Sequence, residues 1–303
     1  MTRVIFMGTP DYAGSILEAL IHAEDIEVVS VYTQPDKPVG RKGVLTPPIV
    51  KVIAEKANIP VIQPTRLRDE TVVNELLATA CEMIIVAAYG QILPKAILEY
   101  VPCVNLHASI LPQYRGASPI QQSLLNNDSI SGVSAMWMDE GLDTGAIIKI
   151  ETLPIGADEM VESLYVRLTD VAVHLTLDVI RNWDQKSALM QNDGEATHCK
   201  KILKSDGLID FSDAREIYNR YRAYTPWPGI FTESGLKIKS MQLEEEESFG
   251  DAGIITQIDK ESILIQCNKG SLRIKSVQAP SKQETSVVDY LNGKRIGCGH
   301  PLV

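Results

Sequence analysis

The feature that most constrains the fold is a regular alternation of short apolar runs with segments of helical periodicity, over roughly the first 180 residues. The apolar runs show almost no polar alternation, which is typical of strands in a parallel sheet that helices cover on both faces. This rhythm predicts a doubly wound α/β domain built on a mostly parallel sheet. The predicted strands are residues 3–7, 27–33, 59–63, 83–89 and 103–108, and the predicted helices begin near residues 15, 49, 70, 94 and 119.

The pattern changes after this core. Residues 133–137 and 146–153 predict two strands joined by the loop DEGLDTG, as an extension of the sheet, and 158–182 predicts a helix. Residues 187–206 are polar and irregular, which indicates a linker after a domain spanning 1–186. Residues 207–303 contain a helix and several short apolar runs separated by turn signals, which predict a smaller β-barrel-like domain.

Composition and charge narrow the class of protein. The chain has 303 residues, 45% of them hydrophobic, with no apolar stretch of transmembrane length and no signal-peptide pattern at its start. Its five cysteines form no Cys-x-x-Cys pair, so we expect neither a disulfide framework nor a metal site, and we expect a cytoplasmic protein without a membrane partner. The net charge of -10 argues against a generic nucleic-acid binder.

The charge is nevertheless unevenly distributed along the chain. Residues 1–199 hold 14 Lys and Arg against 25 Asp and Glu, whereas residues 200–303 hold 15 against 14, even though the acidic run Glu244–Glu247 lies there. A mildly basic region on an acidic body is compatible with binding a polyanion. Ordinary solvated surfaces explain the same distribution equally well. Lys237 and Lys239 are two positions apart in one predicted strand, and Arg273 and Lys275 in another, so each pair shares a face of its strand. The residues that could line a phosphate-binding face are Lys200, Lys201, Lys204, Lys237, Lys239, Arg273 and Lys275.

Two turn-rich segments in the first domain suggest ligand contacts. The sequence GTPDYAG at 8–14 follows a strand and opens a helix, but it lacks the second glycine of a dinucleotide fingerprint, so a dinucleotide cofactor is disfavoured. The connection at 33–51 is too long for a routine loop of this kind and carries Lys37, Arg41 and Lys42. It is either a polyanion-binding loop or a mobile surface loop.

The candidate catalytic residues are Asn105, His107 and Asp143. Asn105 and His107 are two apart in a predicted strand, so their side chains project from the same face, just before the chain turns at Pro112. An amide, an imidazole and a carboxylate together can stabilise an oxyanion, move a proton and orient the group that moves it, as transfer to or from a carbonyl carbon requires. Each also has a structural explanation, as a hydrogen-bonded core histidine or as a turn-forming residue.

These residues resemble those of the formyltetrahydrofolate-dependent formyltransferases, whose signature is Asn-x-His followed by a later Asp. The resemblance rests on NLHASILPQYRGASPIQ and MDEGLDTG. Three further stretches resemble the members of the family that formylate methionyl-tRNA: FMGTPDYAG, the segment TQPDKPVGRKGVLTPPIVKVIAEKANIPVIQP, and ILKSDGLIDFSDA followed by RAYTPWPGIFT. The similarity is specific through residue 150 and around 200–231, and weak over the last 70 residues.

The resemblance implies transfer of the formyl group of 10-formyltetrahydrofolate to the amino group of methionine on initiator tRNA. It implies that Asn105 and His107 stabilise the oxyanion and that His107 takes part in proton transfer. It implies that Asp143 holds His107 in the needed protonation state and orients a water or proton relay. It implies no metal and an oligonucleotide-binding (OB-like) fold for the second domain, and we expect a monomer. The implied folate-binding residues are Ala88, Tyr89, Gly90, Ile92, Leu93, Ser109, Ile110, Leu111, Pro112 and Asp139, and the implied tRNA-binding residues are Lys37, Arg41, Lys42 and Lys204.

Three alternatives stay open on the sequence. A sugar-nucleotide formyltransferase has similar motifs but should lack the long 33–51 connection. A glycinamide ribonucleotide formyltransferase should be near 200 residues and lack the PWPG-bearing domain. A non-catalytic tRNA-binding or folate-binding protein would have no need of all three candidate catalytic side chains. In the PWPG segment, Trp227 is expected to pack into a core as part of a rigid hinge rather than to contact a ligand.

Overall fold

A computed structural model describes residues 1–40, 42–183 and 187–302. The chain forms two compact units: one contains 1–119, 130–154 and 165–199, and the other contains 120–129, 155–164 and the chain from residue 200 onward. The second unit therefore includes two segments from the first half of the sequence. The predicted boundaries, which treat each domain as one continuous stretch, remain a prediction.

The first unit is built on a mostly parallel sheet. Its strands are β1 (Thr2–Gly8), β2 (Ile26–Tyr32), β3 (Lys37–Val39), β4 (Val44–Thr46), β5 (Val61–Ile62), β6 (Met83–Ala87), β7 (Cys103–His107), β8 (Arg115–Gly116), β9 (Ile130–Trp137), β10 (Ile147–Pro154) and β11 (His198–Cys199). The main sheet has the order β10-β9-β7-β6-β1-β2-β5. All pairs from β7 to β5 are parallel, whereas β9 runs antiparallel to both β7 and β10. The predicted doubly wound sheet with a hairpin-like extension is confirmed.

Helices precede and follow these strands as the periodicity predicts. They are α1 (Asp11–His22), α2 (Ile49–Lys56), α3 (Glu70–Leu77), α4 (Lys95–Leu98), α5 (Pro119–Leu125) and α6 (Val161–Asn182). Helix α1 begins four residues before its predicted start at Ser15, because Tyr12, Ala13 and Gly14 are already buried in its first turn. The central strands are inaccessible on both faces: Val4, Ile5, Phe6 and Met7 of β1 are all fully buried. No helix in the described part of the chain has the length and apolar composition that a membrane crossing requires.

The long connection at 33–51 contains a small hairpin that the sequence analysis did not predict. Strands β3 and β4 pair antiparallel, with Lys37 opposite Thr46 and Val39 opposite Val44. The base of the hairpin is fixed by Asp36, whose carboxylate accepts hydrogen bonds from Lys51 Nζ at 3.0 Å and Gln63 Nε2 at 2.7 Å. These two donors, Gln63 first, lower the pKa of Asp36. The described part of this connection is thus an anchored hairpin with exposed side chains.

The second unit contains an antiparallel sheet. Its elements from residue 200 onward are α7 (Ala214–Tyr224), β12 (Ile230–Phe231), β13 (Lys237–Phe249), β14 (Ile254–Ile258), β15 (Ile263–Gln266), β16 (Lys269–Gln278), β17 (Thr285–Ser286) and α8 (Val287–Lys294). The strand order is β12-β13-β16-β15-β14, with β17 added to β16. One apolar face is fully buried, and its members include Ile263, Ile265, Leu272, Ile274 and Val277. The prediction of a smaller domain of short β-strands is confirmed.

Two elements of this unit differ from the prediction. Strand β13 continues through Glu244–Glu247 to Phe249, whereas the apolar pattern ends at Leu243. It continues because Arg273, Arg215 and Lys269 bind the acidic side chains that would otherwise repel each other. Helix α8, which the sequence analysis missed, begins at a Ser286 cap whose hydroxyl accepts from the backbone N–H of Val288.

Candidate active site

Asn105 and His107 lie at the carboxyl end of β7 in the first unit. There the sheet changes from parallel pairing with β6 to antiparallel pairing with β9. The chain turns away directly after His107, so both side chains lie where ligands bind in open α/β sheets. Asn105 is half-buried and His107 is 7% exposed. The predicted placement of the pair on one face of a strand end agrees with this position.

The imidazole of His107 is held from one side by a backbone carbonyl. Its Nε2 lies 2.9 Å from the carbonyl oxygen of Tyr114. Because a carbonyl oxygen can only accept, Nε2 is the nitrogen that carries the hydrogen. The other nitrogen, Nδ1, faces the carboxylate of Asp143, with 3.7 Å to Oδ2. Nδ1 is therefore the nitrogen available for proton exchange in the site.

Asp143 completes the cluster. Its Oδ2 accepts from the backbone N–H of Gly116 at 2.9 Å, and its Oδ1 accepts from Asn105 Nδ2 at 3.3 Å. Its backbone has φ of 55°, in the left-handed region, where aspartate is among the better tolerated residues. The structure thus brings together the three residues predicted to be catalytic, although they are up to 38 positions apart in sequence.

The DEGLDTG loop that carries Asp143 is shaped by Asp139. The Oδ1 of Asp139 accepts from the backbone N–H of Gly141 at 2.9 Å and from Thr144 Oγ1 at 2.7 Å. A side chain at Gly145 would collide with the carbonyl oxygen of Trp137. Asp139 therefore closes a turn, and its predicted part in folate binding stays a prediction.

The turn at Ser109–Pro112, also predicted to bind folate, is fixed to the neighbouring strand by Ser134. The Ser134 hydroxyl donates to the carbonyl of Ser109 at 2.7 Å and accepts from the N–H of Leu111 at 3.0 Å. Ser109 Oγ in turn donates to the carbonyl of Gln113 at 2.6 Å. Ser109 and Leu111 are buried, whereas Ile110 and Pro112 are partly accessible. Ser134 is not among the predicted site residues, because its signal is no more than one polar residue inside the apolar run VSAMW.

The loop that follows β6 carries the remaining predicted folate residues. The carbonyl of Tyr89 accepts from Thr9 Oγ1 and Gln34 Nε2, both at 3.1 Å, so this loop is tied to the ends of β1 and β2. Tyr89 and Leu93 are buried, while Ala88 and Gly90 are exposed and Ile92 is 84% exposed. Ala88 and Gly90 have φ of 47° and 82°. No described residue of the chain accepts a hydrogen bond from the backbone N–H of Gly90 or Ile92.

Comparison with known proteins decides the family. Residues 2–180 match the family model for formyl transferases, and residues 201–295 match the model for the formyl transferase C-terminal domain. The chain belongs to the formyl transferase family. A methionyl-tRNA formyltransferase of Sulfurimonas denitrificans is 55% identical over 300 residues, 99% of each chain, and one of Nitratiruptor is 50% identical over 98% of each chain.

The fold also recurs in solved structures of formyl transferases. The N-formyltransferase of Helicobacter canadensis, in complex with folinic acid and dTDP-3-aminofucose, superposes with a TM-score of 0.69 over 92% of this chain and 100% of that chain. The sugar 3N-formyl transferase WlaRD superposes with a TM-score of 0.67 over 93% of this chain. At 20% and 19% identity, these likenesses establish the fold of this formyl transferase and nothing finer.

Three residues outside the predicted site hold His107 and Asp143 of this formyl transferase. Tyr114 supplies the carbonyl for His107, Gly116 supplies the N–H for Asp143, and Gln191 binds the backbone around Asp143. Tyr114 and Gly116 act through their backbones, and a backbone contact leaves no signal in the residue type. Gln191 lies in the predicted linker, where nothing in the local pattern distinguishes it.

A buried thiol borders the same segment. Cys199 Sγ lies 3.4 Å from the carbonyl of Tyr114 and accepts from the N–H of Ser118 at 3.3 Å. Burial, and to a smaller extent the charge of Asp143, raise the pKa of Cys199. The thiol therefore stays protonated and serves as packing and a weak donor rather than as a nucleophile.

The residues predicted to bind tRNA belong to two other segments of the chain. Lys37 and Lys42 are exposed on the hairpin of β3 and β4, and Lys204 is exposed in a short helix of the second unit. Arg41 lies outside the described residues. Next to the two hairpin lysines, Val39, Val44 and Leu45 are more than half exposed. In the described part of the chain, no cluster of three or more His, Cys, Asp or Glu side chains could hold a metal ion.

Proposed function

We propose that this protein transfers the formyl group of 10-formyltetrahydrofolate to the amino group of methionine esterified to initiator tRNA. The observation that carries the proposal is the meeting of Asn105, His107 and Asp143 at one strand end, with Nδ1 of the imidazole facing the carboxylate. Full-length relatives that are named methionyl-tRNA formyltransferases support the choice of acceptor. A cytoplasmic location and a monomeric state are part of the proposal.

The groups around the site suit a folate. Folate has a flat pteridine ring edged with donors and acceptors. The exposed side chain of Ile92 offers it an apolar contact, and the backbone N–H groups of Gly90 and Ile92 offer it hydrogen bonds. The turn at Ser109–Pro112, held in place by Ser134, is assigned as a second folate contact. When bound, the donor supplies an activated formyl group.

Asn105 stabilises the negative charge that develops during the transfer, and His107 carries the proton. The Nδ2 of Asn105 carries two hydrogens, one of which goes to Asp143, so the other is available to the oxyanion that forms as the amine attacks. The attacking amine loses a proton as its bond to the formyl carbon forms, and Nδ1 of His107 accepts it. The leaving nitrogen of the donor gains a proton as its bond to that carbon breaks, which returns His107 to its starting state.

Asp143 keeps this arrangement in place. Its carboxylate is fixed by Gly116 and Asn105, so it stays opposite Nδ1 of His107 and orients the imidazole during the transfer. The exposed lysines of the hairpin, Lys37 and Lys42, are proposed to bind the phosphates of the tRNA acceptor, together with Arg41 and with Lys204 of the second unit.

The test is a formylation assay with the purified full-length chain, methionyl initiator tRNA and 10-formyltetrahydrofolate. We expect formylmethionyl-tRNA to appear only when the donor is present. The same assay with dTDP-3-aminofucose as the acceptor separates this proposal from sugar formylation. Formylation of the sugar nucleotide without formylation of the tRNA would show that the proposed acceptor is wrong, and absence of both would refute the proposed activity.

A further inference from the structure

The segment 187–199 is packed onto the loops that carry the catalytic groups. Its residue Leu189 forms a two-way backbone pair with Ile147, both bonds 2.8 Å long, and its strand β11 runs parallel to β8. Between these two attachments lies Gln191. Part of the polar stretch predicted as a linker thus contacts the active site of the first unit.

The side-chain amide of Gln191 makes four hydrogen bonds with oxygen and nitrogen partners, besides a long one from Nε2 to Met136 Sδ at 3.9 Å. Its Nε2 donates to the carbonyl of Asp143 at 2.9 Å and to that of Gly145 at 2.8 Å. Its Oε1 accepts from Arg115 at both Nε, 3.0 Å away, and Nη2, 2.8 Å away. An amide offers two hydrogens and two lone pairs, so all of its capacity is used. Arg115 itself is only 4% exposed and also binds Asp193.

This environment selects glutamine. The guanidinium has no acceptor and the two carbonyls have no donor, so the amide fits in one orientation only. A glutamate would keep its bonds to Arg115 but would turn a carboxylate oxygen towards two carbonyl oxygens. A leucine of similar size would satisfy none of the four groups.

The same segment holds the two backbone groups that orient the catalytic side chains. Thr197 accepts the N–H of Tyr114 at its hydroxyl and that of Arg115 at its carbonyl, each at 2.9 Å. The N–H of Ala117 donates to the carbonyl of Cys199 at 3.3 Å. The carbonyl of Tyr114, which binds His107, and the N–H of Gly116, which binds Asp143, therefore lie immediately before and within β8, which residues 197–199 keep in place.

We propose that Gln191 is a positioning residue for formyl transfer. With Arg115 as its support, it fixes the backbone of Asp143, which holds a left-handed conformation, so that the carboxylate stays opposite His107. The inference rests on the proposed function. Misplacing an orienting group lowers the rate of the chemical step while substrate binding, which uses other groups, is retained.

The experiment measures kcat and KM for Gln191→Leu and Gln191→Glu in the full-length chain, with Glu195→Gln as the matched control. Glu195 is an exposed residue of the same segment. We expect each Gln191 variant to lower kcat about 10- to 100-fold, the usual effect of removing a supporting hydrogen-bond partner, with both KM values within about two-fold of wild type. The control should retain wild-type values. Gln191→Glu is close in shape to the native residue, so it still tests the contacts of Gln191 with the Asp143 backbone if the leucine variant folds poorly.

A second arm distinguishes positioning from general structural support. In an Asp143→Ala background, Gln191→Glu should lower kcat by no more than about two-fold, since the group that it positions is already absent. Unchanged kcat in both single variants would overturn the proposal, and so would equal fold-losses in the wild-type and Asp143→Ala backgrounds. Absence of formylation by the wild-type protein is a different outcome, and it refutes the proposed function instead.

Discussion

The strand end of β7 and the outer surface of β13 and β16 use charged and polar side chains in opposite ways. At the end of β7, backbone groups of Tyr114 and Gly116 hold His107 and Asp143, so that Nδ1 of the histidine faces the Asp143 carboxylate. On the second surface, Arg273 is bound by Glu244 at 2.8 Å and by Asp259 at 2.6 Å. Polar side chains held by the backbone remain available for chemistry, whereas cations paired with carboxylates do not remain available for phosphates.

The largest effect should come from removing the imidazole. His107→Ala is expected to lower kcat by about 10²- to 10⁴-fold, because the group that accepts the amine proton is lost. The matched control is His174→Ala, at an exposed position of α6. Steady-state kinetics of formylation provide the measurement. A His107→Ala variant as active as the control would mean that the site is held for structure and not for catalysis.

A smaller loss should follow from disturbing the backbone that holds the site. Gly116 has φ of 121°, and a side chain there would collide with the carbonyl of Cys199. Gly116→Ala is therefore expected to destabilise the protein by about 1–3 kcal/mol and to lower kcat, because the N–H that binds Asp143 moves. Denaturant unfolding and kinetics test both effects. The control is Gly297→Ala, where the added atom meets nothing within 4 Å, and losses of the same size there would contradict the explanation.

The exposed hairpin should affect tRNA binding and leave the chemistry intact. The double substitution of Lys37 and Lys42 by Ala is expected to raise KM for methionyl-tRNA by roughly ten-fold at moderate salt, with kcat retained. It should also reduce the slope of log affinity against log salt by about 2, because each phosphate contact contributes about 1. Lys56→Ala, at an exposed position of α2, is the control. An unchanged salt slope would show that these lysines do not contact the phosphates of the tRNA.

The smallest expected effect concerns the ion-paired outer surface of β13 and β16. Lys275 is exposed on β16 and has no carboxylate partner in the described part of the chain, whereas Arg273, two positions earlier, has two. We expect Lys275→Ala to weaken tRNA affinity a few-fold, and Arg273→Ala to leave affinity unchanged while lowering stability by up to about 1 kcal/mol. Filter binding and thermal unfolding supply the measurements. The reverse pattern would show that pairing does not withdraw Arg273 from phosphates.

What the sequence predicted correctly depends on local periodicity. The order of strands and helices up to residue 182 follows from apolar patterns, and the shared face of Asn105 and His107 follows from their separation by two positions in β7. The hairpin within 33–51 escaped prediction because its strands are three residues long and interrupted by glycine and proline. The exposure of Trp227, at 59%, also differs from the expectation of a buried hinge residue.

What the sequence left unpredicted depends on contacts between distant segments. The pairing of β11 with β8 joins residues more than 80 positions apart, and no pattern in either segment records it. The extension of β13 through its acidic run depends on cations from α7 and β16. Gln191 is the clearest case, because its role exists only once Arg115 and the Asp143 loop lie beside it.

The attachment of residues 187–199 to the first unit bears on which truncated fragments keep the candidate site supported. A fragment ending at Asn182, the last residue of α6, would contain Asn105, His107 and Asp143. It would lack Gln191 and the strand β11 that supports β8. Such a fragment would carry every group that is proposed to react, without the segment that holds the backbone around them. Under the proposed function, we therefore expect a catalytic fragment of this protein to extend at least to Cys199.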